Sequence, residues 1–289
     1  MTPSATFLRH ASRAALTTLA TLFLGLAAPR AAADEEHLLG YSEDTEITPV
    51  GKWETYHWIT HRTGKAGGNY RATDYFAEFE YGLTKISQLS LYLTAAHYRI
   101  ASVPEFDDRR LTTFTGLRVA YKHLLRHHER DGYGLALYVE PEYSSRSKAS
   151  GGRADEFAVE TKLLYQLESL DEKYVYLANL TFEPEVAREE GTTNHELKFE
   201  FSHGASVRIS PRWYLGVENR WAAVFSHWQL HRAETHAGFA EPVVHYGSNR
   251  WWFTATWLRQ FTGWPAARRG LALDEFERDE FRVKFGFTF

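Results

Sequence analysis

The sequence predicts an all-β protein: an antiparallel transmembrane β-barrel of about twelve strands, ten being the alternative count. Three observations predict it. Apolar and polar residues alternate in segment after segment, as they must where successive side chains face opposite sides of a sheet. Beyond the N-terminal stretch, no run reaches the ~18 apolar residues of a spanning helix. The connections between segments also alternate in length, as in hairpins that go up and down through a membrane.

The elements follow in order. Arg9 and Arg13 precede an apolar stretch over 14–28, then Ala31-Ala32-Ala33 and acidic Asp34-Glu35-Glu36. These are the three parts of a secretory signal peptide, residues 1–33, cleaved after Ala33. Residues 34–50 read as a periplasmic N-terminal segment, and 51–289 as the barrel. Period-2 alternation marks strands near 52–61, 73–82, 88–98, 111–122, 133–143, 155–167, 173–185, 195–209, 213–223, 241–247, 251–260 and 277–289. Tyr75, Phe79 and Tyr81 share one face, as do Leu89, Leu91 and Leu93, Leu135, Leu137 and Val139, Phe157, Val159, Leu163 and Tyr165, and Leu197, Phe199 and Phe201. The first strand is ambiguous, since Trp53, Thr55, His57 and Ile59 compete with Tyr56 and Trp58 for the lipid side. The tenth is short and carries Pro242, hence the ten-strand alternative. The last strand alternates to the chain end, with Phe281, Val283, Phe285, Phe287 and Phe289 on one face and Glu280, Arg282, Lys284 and Thr288 on the other.

Five connections are tight or moderate, around 84–85, 123–132, 169–171, 210–211 and 247–249. Six are longer, around 62–72, 99–110, 144–154, 186–194, 224–240 and 261–276. An even-stranded barrel with both termini in the periplasm needs that interleaving, with the long connections outside the cell. Tyr174, Trp213, Tyr214, Trp251 and Trp252 follow basic residues at three short turns, which suits an interfacial girdle with cations just beyond it. The chain holds 19 Phe, 16 Tyr and 9 Trp, an aromatic load suited to two such girdles. A soluble β-sandwich is the other fold that alternation of this kind can build.

Leu39-Gly40-Tyr41, Gly51-Lys52-Trp53-Glu54, Glu80-Tyr81-Gly82-Leu83-Thr84-Lys85, Arg250-Trp251-Trp252 and the Phe289 ending resemble, over essentially the whole chain after residue 33, a group of uncharacterised proteobacterial outer-membrane barrels. They also resemble the barrels of aromatic-degradation operons that are often labelled transporters. The resemblance implies the barrel fold and the outer membrane of a Gram-negative bacterium. In such barrels the closing strand, here Phe281, Val283, Phe285, Phe287 and Phe289, is part of the signal read by the insertion machinery. It implies no catalytic residue.

Composition narrows the function. There is no cysteine, so thiol catalysis, disulfides and thiolate metal sites are excluded. Without Arg9, Arg13 and Arg30 the formal charge falls from −4 to −7, which argues against nucleic acid as a partner. If the apolar faces meet lipid, the lumen receives Glu78, Glu80, Arg118, Lys122, Glu140, Glu142, Glu160, Lys162, Lys198, Glu200, Glu218, Arg220, Arg282 and Lys284. Charges there must be hydrated or paired. About twelve strands leave only a narrow pore, and the carboxylate excess favours cations or small polar solutes. The expected function is therefore a passive channel with no cofactor, its partners being outer-membrane lipid, the insertion machinery and small polar solutes.

Two other functions fit the same strands. One is a sealed structural or adhesive barrel acting through its outer loops. The other is a rim hydrolase of lipid or peptide, using loop residues such as Asp107, Asp108, Glu189, Glu190, Glu234 and His236. Ser202-His203 and Ser226-His227 cannot supply a dyad as strand neighbours, because they point to opposite faces. His227, His231 and His236 could chelate a metal if their segment were helical, although a polar loop accounts for them more simply. His123, His127 and His128 read as part of a solvated basic turn.

Overall fold

The structure, a computed structural model, describes residues 37–288 apart from 190 and 266–269. The expected signal peptide and Phe289 lie outside the described residues. Twelve strands run β1 (Trp53–Thr63), β2 (Asn69–Thr84), β3 (Ser87–Ala101), β4 (Arg109–Arg126), β5 (Gly134–Arg146), β6 (Arg153–Glu168), β7 (Tyr174–Glu189), β8 (Thr192–Ser210), β9 (Trp213–Ser226), β10 (Ala233–Gly247), β11 (Trp251–Trp264) and β12 (Asp279–Thr288). One short helix, α1 (His128–Asp131), sits between β4 and β5. Each strand pairs antiparallel with its chain neighbours, and β12 pairs with β1, which closes the barrel. No helix among the described residues is long and apolar enough to cross a membrane.

The outer surface is apolar where the alternation predicts it. Leu89, Leu91, Leu93, Leu137, Phe157, Val159 and Leu163 all lie on it and are exposed. Apolar surface all around a closed barrel is what lipid, and not water, accommodates. The first strand resolves with Glu54 and Tyr56 buried inside and Trp53 and Ile59 outside.

The connections differ from expectation. β7 runs to Glu189 and β8 starts at Thr192, so the long connection expected at 186–194 is a hairpin; β9 and β10 likewise absorb most of 224–240. The ladder continues beyond the apolar belt, where both faces meet water and no longer need to alternate. Period-2 hydrophobicity disappears there although the strand does not. β10 is thus a full strand of 15 residues in spite of Pro242.

Candidate functional site: an occluded lumen

Residues 37–50, expected to precede the barrel, run inside it. The segment enters beside β2, where Val50 bridges Gly82. A Cβ on Gly82 would lie 2.3 Å from the carbonyl oxygens of Thr48 and Pro49, so only glycine admits the chain there. Within the lumen the backbone amides find inward side chains in succession. Glu218 accepts from Gly40 N (2.8 Å), Tyr41 N (3.1 Å) and Ser42 N (2.5 Å). Asn179 accepts from Glu43 N (2.6 Å) and donates to its carbonyl (2.9 Å). Gln166 accepts from Thr45 N at 2.9 Å, and Gln88 from Thr48 N at 2.8 Å. A backbone outside any ladder is tolerated at membrane depth only when its polar groups are met in this way.

Side chains lock the same path. Leu38 and Leu39 pack on Val175, Leu177, Tyr214 and Val243. His37 stacks on Trp252 at 4.8 Å, and its backbone amide donates to Asp44 at 2.9 Å. Asp44 also accepts from the amide of Glu46 at 3.1 Å and lies 3.6 Å from the Lys122 ammonium. At the same end of the barrel, His128 of α1 lies 2.7 Å from Glu46 and 3.1 Å from Glu168 of β6. Hydrogen bonds to Glu168 and Glu46 push its imidazole up to about 10. His128 is therefore a charged clasp, where a solvated basic turn was expected.

Above Tyr41 a charge-lined cavity of ≈ 340 Å³ remains, with room for on the order of ten waters. Arg282 lies 3.7 Å from the centre of the Tyr41 ring and Arg220 4.7 Å from it, while the Tyr41 hydroxyl donates to Glu280 at 2.5 Å. The walls are an ion-pair network. Arg118 meets Glu140 at 2.9 Å and Glu142 at 3.0 Å; Lys162 meets Glu43 at 2.5 Å and Glu160 at 2.8 Å; Arg220 meets Glu200 at 2.6 Å. Connections folding inward from the opposite end narrow the mouth. Lys148 of 147–152 pairs with Glu142 and approaches Glu183 at 3.4 Å; Arg62 bridges Asp74 and Glu277 at 2.7 and 2.8 Å; Phe276 of 265–278 packs against Phe239. Ten carboxylates and seven basic side chains line the cavity, so its excess is acidic.

The residues expected in the lumen all point inward but form two groups. Arg118, Glu140, Glu142, Glu160, Lys162, Lys198, Glu200, Arg220 and Arg282 line the cavity. Glu78, Glu80, Lys122, Glu218 and Lys284 are buried at the level of the internal segment; Glu218 and Lys122 contact it directly, and Glu80 accepts from Thr48 Oγ1 at 2.9 Å. The girdle divides too. Tyr174 and Trp251 are exposed and Trp213 half-buried, but Tyr214 and Trp252 are fully buried inside against residues 37–39. Consecutive strand residues cannot share a face, so each aromatic pair had to split. Phe281 and Phe287 are exposed on the outer face, with Val283 and Phe285 half-buried beside them.

The histidine metal site does not form. His227 and His231 lie in the turn after β9, while His236 is on β10, stacked on Trp264. The segment is strand and turn, so the spacing that would align ligands on a helix separates them. Among the described residues only Glu142, Glu183 and Glu185 come close enough together to share an ion, and Lys148 and Lys198 already pair with them. The signal for this cluster was legible as the repeated Glu-Pro-Glu of β5 and β7. The rim acids serve locally: Asp108 accepts from Ser102 N at 2.7 Å, and Asp107 lies 3.7 Å from Arg109. Ser202 faces inward and donates no dyad contact to His203, meeting Ser42 Oγ at 3.0 Å instead.

Two solved structures share this fold. The COG4313 outer membrane channel from Pseudomonas putida F1 is 12% identical over 85% of this chain and 98% of its own, with a TM-score of 0.59. The NanC porin is 9% identical over 81% of this chain and 100% of its own, with a TM-score of 0.51. No curated protein matches by sequence. Residues 31–289 match the family of unknown function DUF6662, and the chain belongs to that family.

Proposed function

We propose that the protein is a narrow passive channel of the Gram-negative outer membrane, with both termini on the periplasmic side, whose own N-terminal segment limits passage. One observation carries this reading: a charge-lined cavity inside a barrel with an apolar outer face is closed on one side by a segment that is not part of the wall. A barrel meant only to be sealed could fill its lumen with wall side chains. Here the internal segment is held largely by hydrogen bonds and ion pairs, contacts that water can replace at modest net cost. The acidic excess favours small cations or zwitterions, whose ammonium groups the lining carboxylates would pair with. The solved structures of similar fold are named as a channel and a porin, which accords with the reading.

The test is single-channel conductance in a planar bilayer under a salt gradient, comparing a refolded chain 34–289 with one shortened to 51–289. The longer chain is expected to give small, intermittent cation-preferring steps and the shorter one larger, steady steps. If both remain silent while showing the heat-modifiable gel mobility of folded barrels, the channel reading fails and the sealed, loop-acting barrel takes its place.

A further inference from the structure

The outer face of β1 to β4 ends, near the long connections, in an unusual row. Register places Thr63, Arg71, Arg99 and Arg110 side by side: Thr63 pairs with Arg71, Arg71 with Arg99, and Arg99 with Arg110. All three arginines are exposed, and among the described residues none makes a side-chain hydrogen bond or ion pair with protein. Like charges directly opposite across strands are destabilising. Three in succession, spanning about 10 Å at the usual strand spacing, make a concentrated positive row with no carboxylate within ion-pair distance among the described residues. Elsewhere on this rim the positive charge is mixed with acid, as where Arg259 lies 3.6 Å from Asp279, or where Asp155 pairs across the ladder with Arg188.

The rows beneath are ordered by polarity. Two residues deeper, His61, Thr73, His97 and Thr112 lie side by side. His61 Nδ1 meets Thr73 Oγ1 at 2.8 Å and His97 Nδ1 meets Thr112 Oγ1 at 2.7 Å, which leaves each Nε2 for an external partner. Two residues deeper again come Ile59, Tyr75, Ala95 and Phe114, the start of the apolar belt. Guanidinium, then imidazole and hydroxyl, then hydrocarbon is the order of phosphate, sugar and acyl chain in a phosphorylated glycolipid, and guanidinium matches phosphate with paired hydrogen bonds.

We infer that this face binds the phosphates of a phosphorylated glycolipid in the outer leaflet of the outer membrane, with Arg71, Arg99 and Arg110 as the anion site. The inference rests on the orientation proposed above, with the long connections outside the cell, and does not depend on conduction. The test uses refolded chain 34–289 in neutral detergent, with bis-phosphorylated lipid A, dephosphorylated lipid A or phosphatidylglycerol added. The temperature at which the folded gel band converts to the unfolded one is read against lipid concentration. Lipid A is expected to raise that temperature, and to act at about tenfold lower concentration than phosphatidylglycerol. The triple variant Arg71→Gln, Arg99→Gln, Arg110→Gln should lose the protection. Arg99→Glu is expected to be at least as stable as the parent without lipid, because it relieves two like-charge pairs, and yet to lose protection by lipid A; this separates a binding role from a structural one. Protection undiminished in either variant, or equal protection by dephosphorylated lipid A, overturns the anion site. Equal protection by phosphatidylglycerol overturns the glycolipid assignment while leaving the conductance measurement to judge the channel.

Discussion

At the scale of single residues, His128 joins three parts of the chain: α1, the internal segment at Glu46 and the end of β6 at Glu168. Its pKa is raised from the ordinary 6.5 to about 10. A basic group raised on docking contributes its stabilisation fully below about 6.5, and that contribution fades as pH climbs through about 10. Occlusion by the internal segment is therefore expected to weaken from pH 7 to 10, seen as rising open probability in the bilayer. His128→Gln should be more open at pH 7 and respond less to pH. Identical pH curves for the two proteins would remove His128 from the clasp. Nothing near 123–132 in the sequence signals this role, because both carboxylate partners are remote along the chain and meet the imidazole only once the barrel closes. Tyr214 and Trp252 teach a related lesson, since a basic-aromatic pair gives depth in the membrane, but the strand's parity decides which ring meets lipid.

At the scale of elements, three strands carry a proline in their interior: Pro141 in β5, Pro184 in β7 and Pro242 in β10. Each is paired on one side, with Val159, Leu197 and Val217 respectively. On the other side the ladder skips two residue pairs, between Arg118 and Tyr121, between Ala158 and Thr161, and between Ala240 and Val243. A residue without an N–H can sit inside a closed barrel only by opening one ladder locally. That answers the ten-strand alternative, which treated Pro242 as evidence against a strand. Replacing it, Pro242→Val, is expected to restore a ladder bond and stabilise the refolded barrel by about 1 kcal/mol, read as a higher heat-conversion temperature. A loss of stability would mean that the neighbouring strand, and not the proline, holds the gap open.

At the scale of the whole molecule, the relation of residues 37–50 to the wall governs what the barrel can do. The native chain has no cysteine, so a pair introduced at Ser42 and Ser202, whose Oγ atoms lie 3.0 Å apart, would be its only thiols. Ser42→Cys with Ser202→Cys is expected to show conductance when reduced and to lose most of it when oxidised, with neither single variant responding to redox conditions. Conductance unchanged by oxidation, with the cross-link verified by mass, would mean that ions bypass the internal segment and that it is no gate.

Alternation alone was enough for the barrel, a count of about twelve strands with ten left open, and the inward or outward parity of most of them, because a two-residue period is a local property that lipid on one side and water on the other impose directly. It also determined that the lumen would be charged with an acidic excess. Only the tertiary structure decided that 37–50 lies inside, that Tyr214 and Trp252 face it, and which carboxylate meets which base. The wall pairs, such as Arg118 with Glu140, join neighbouring strands, and the contacts of the internal segment join residues more than a hundred positions apart, such as Glu218 with Gly40 or Lys162 with Glu43. They exist only once β12 has paired with β1 and the closed wall has given the internal segment its surroundings.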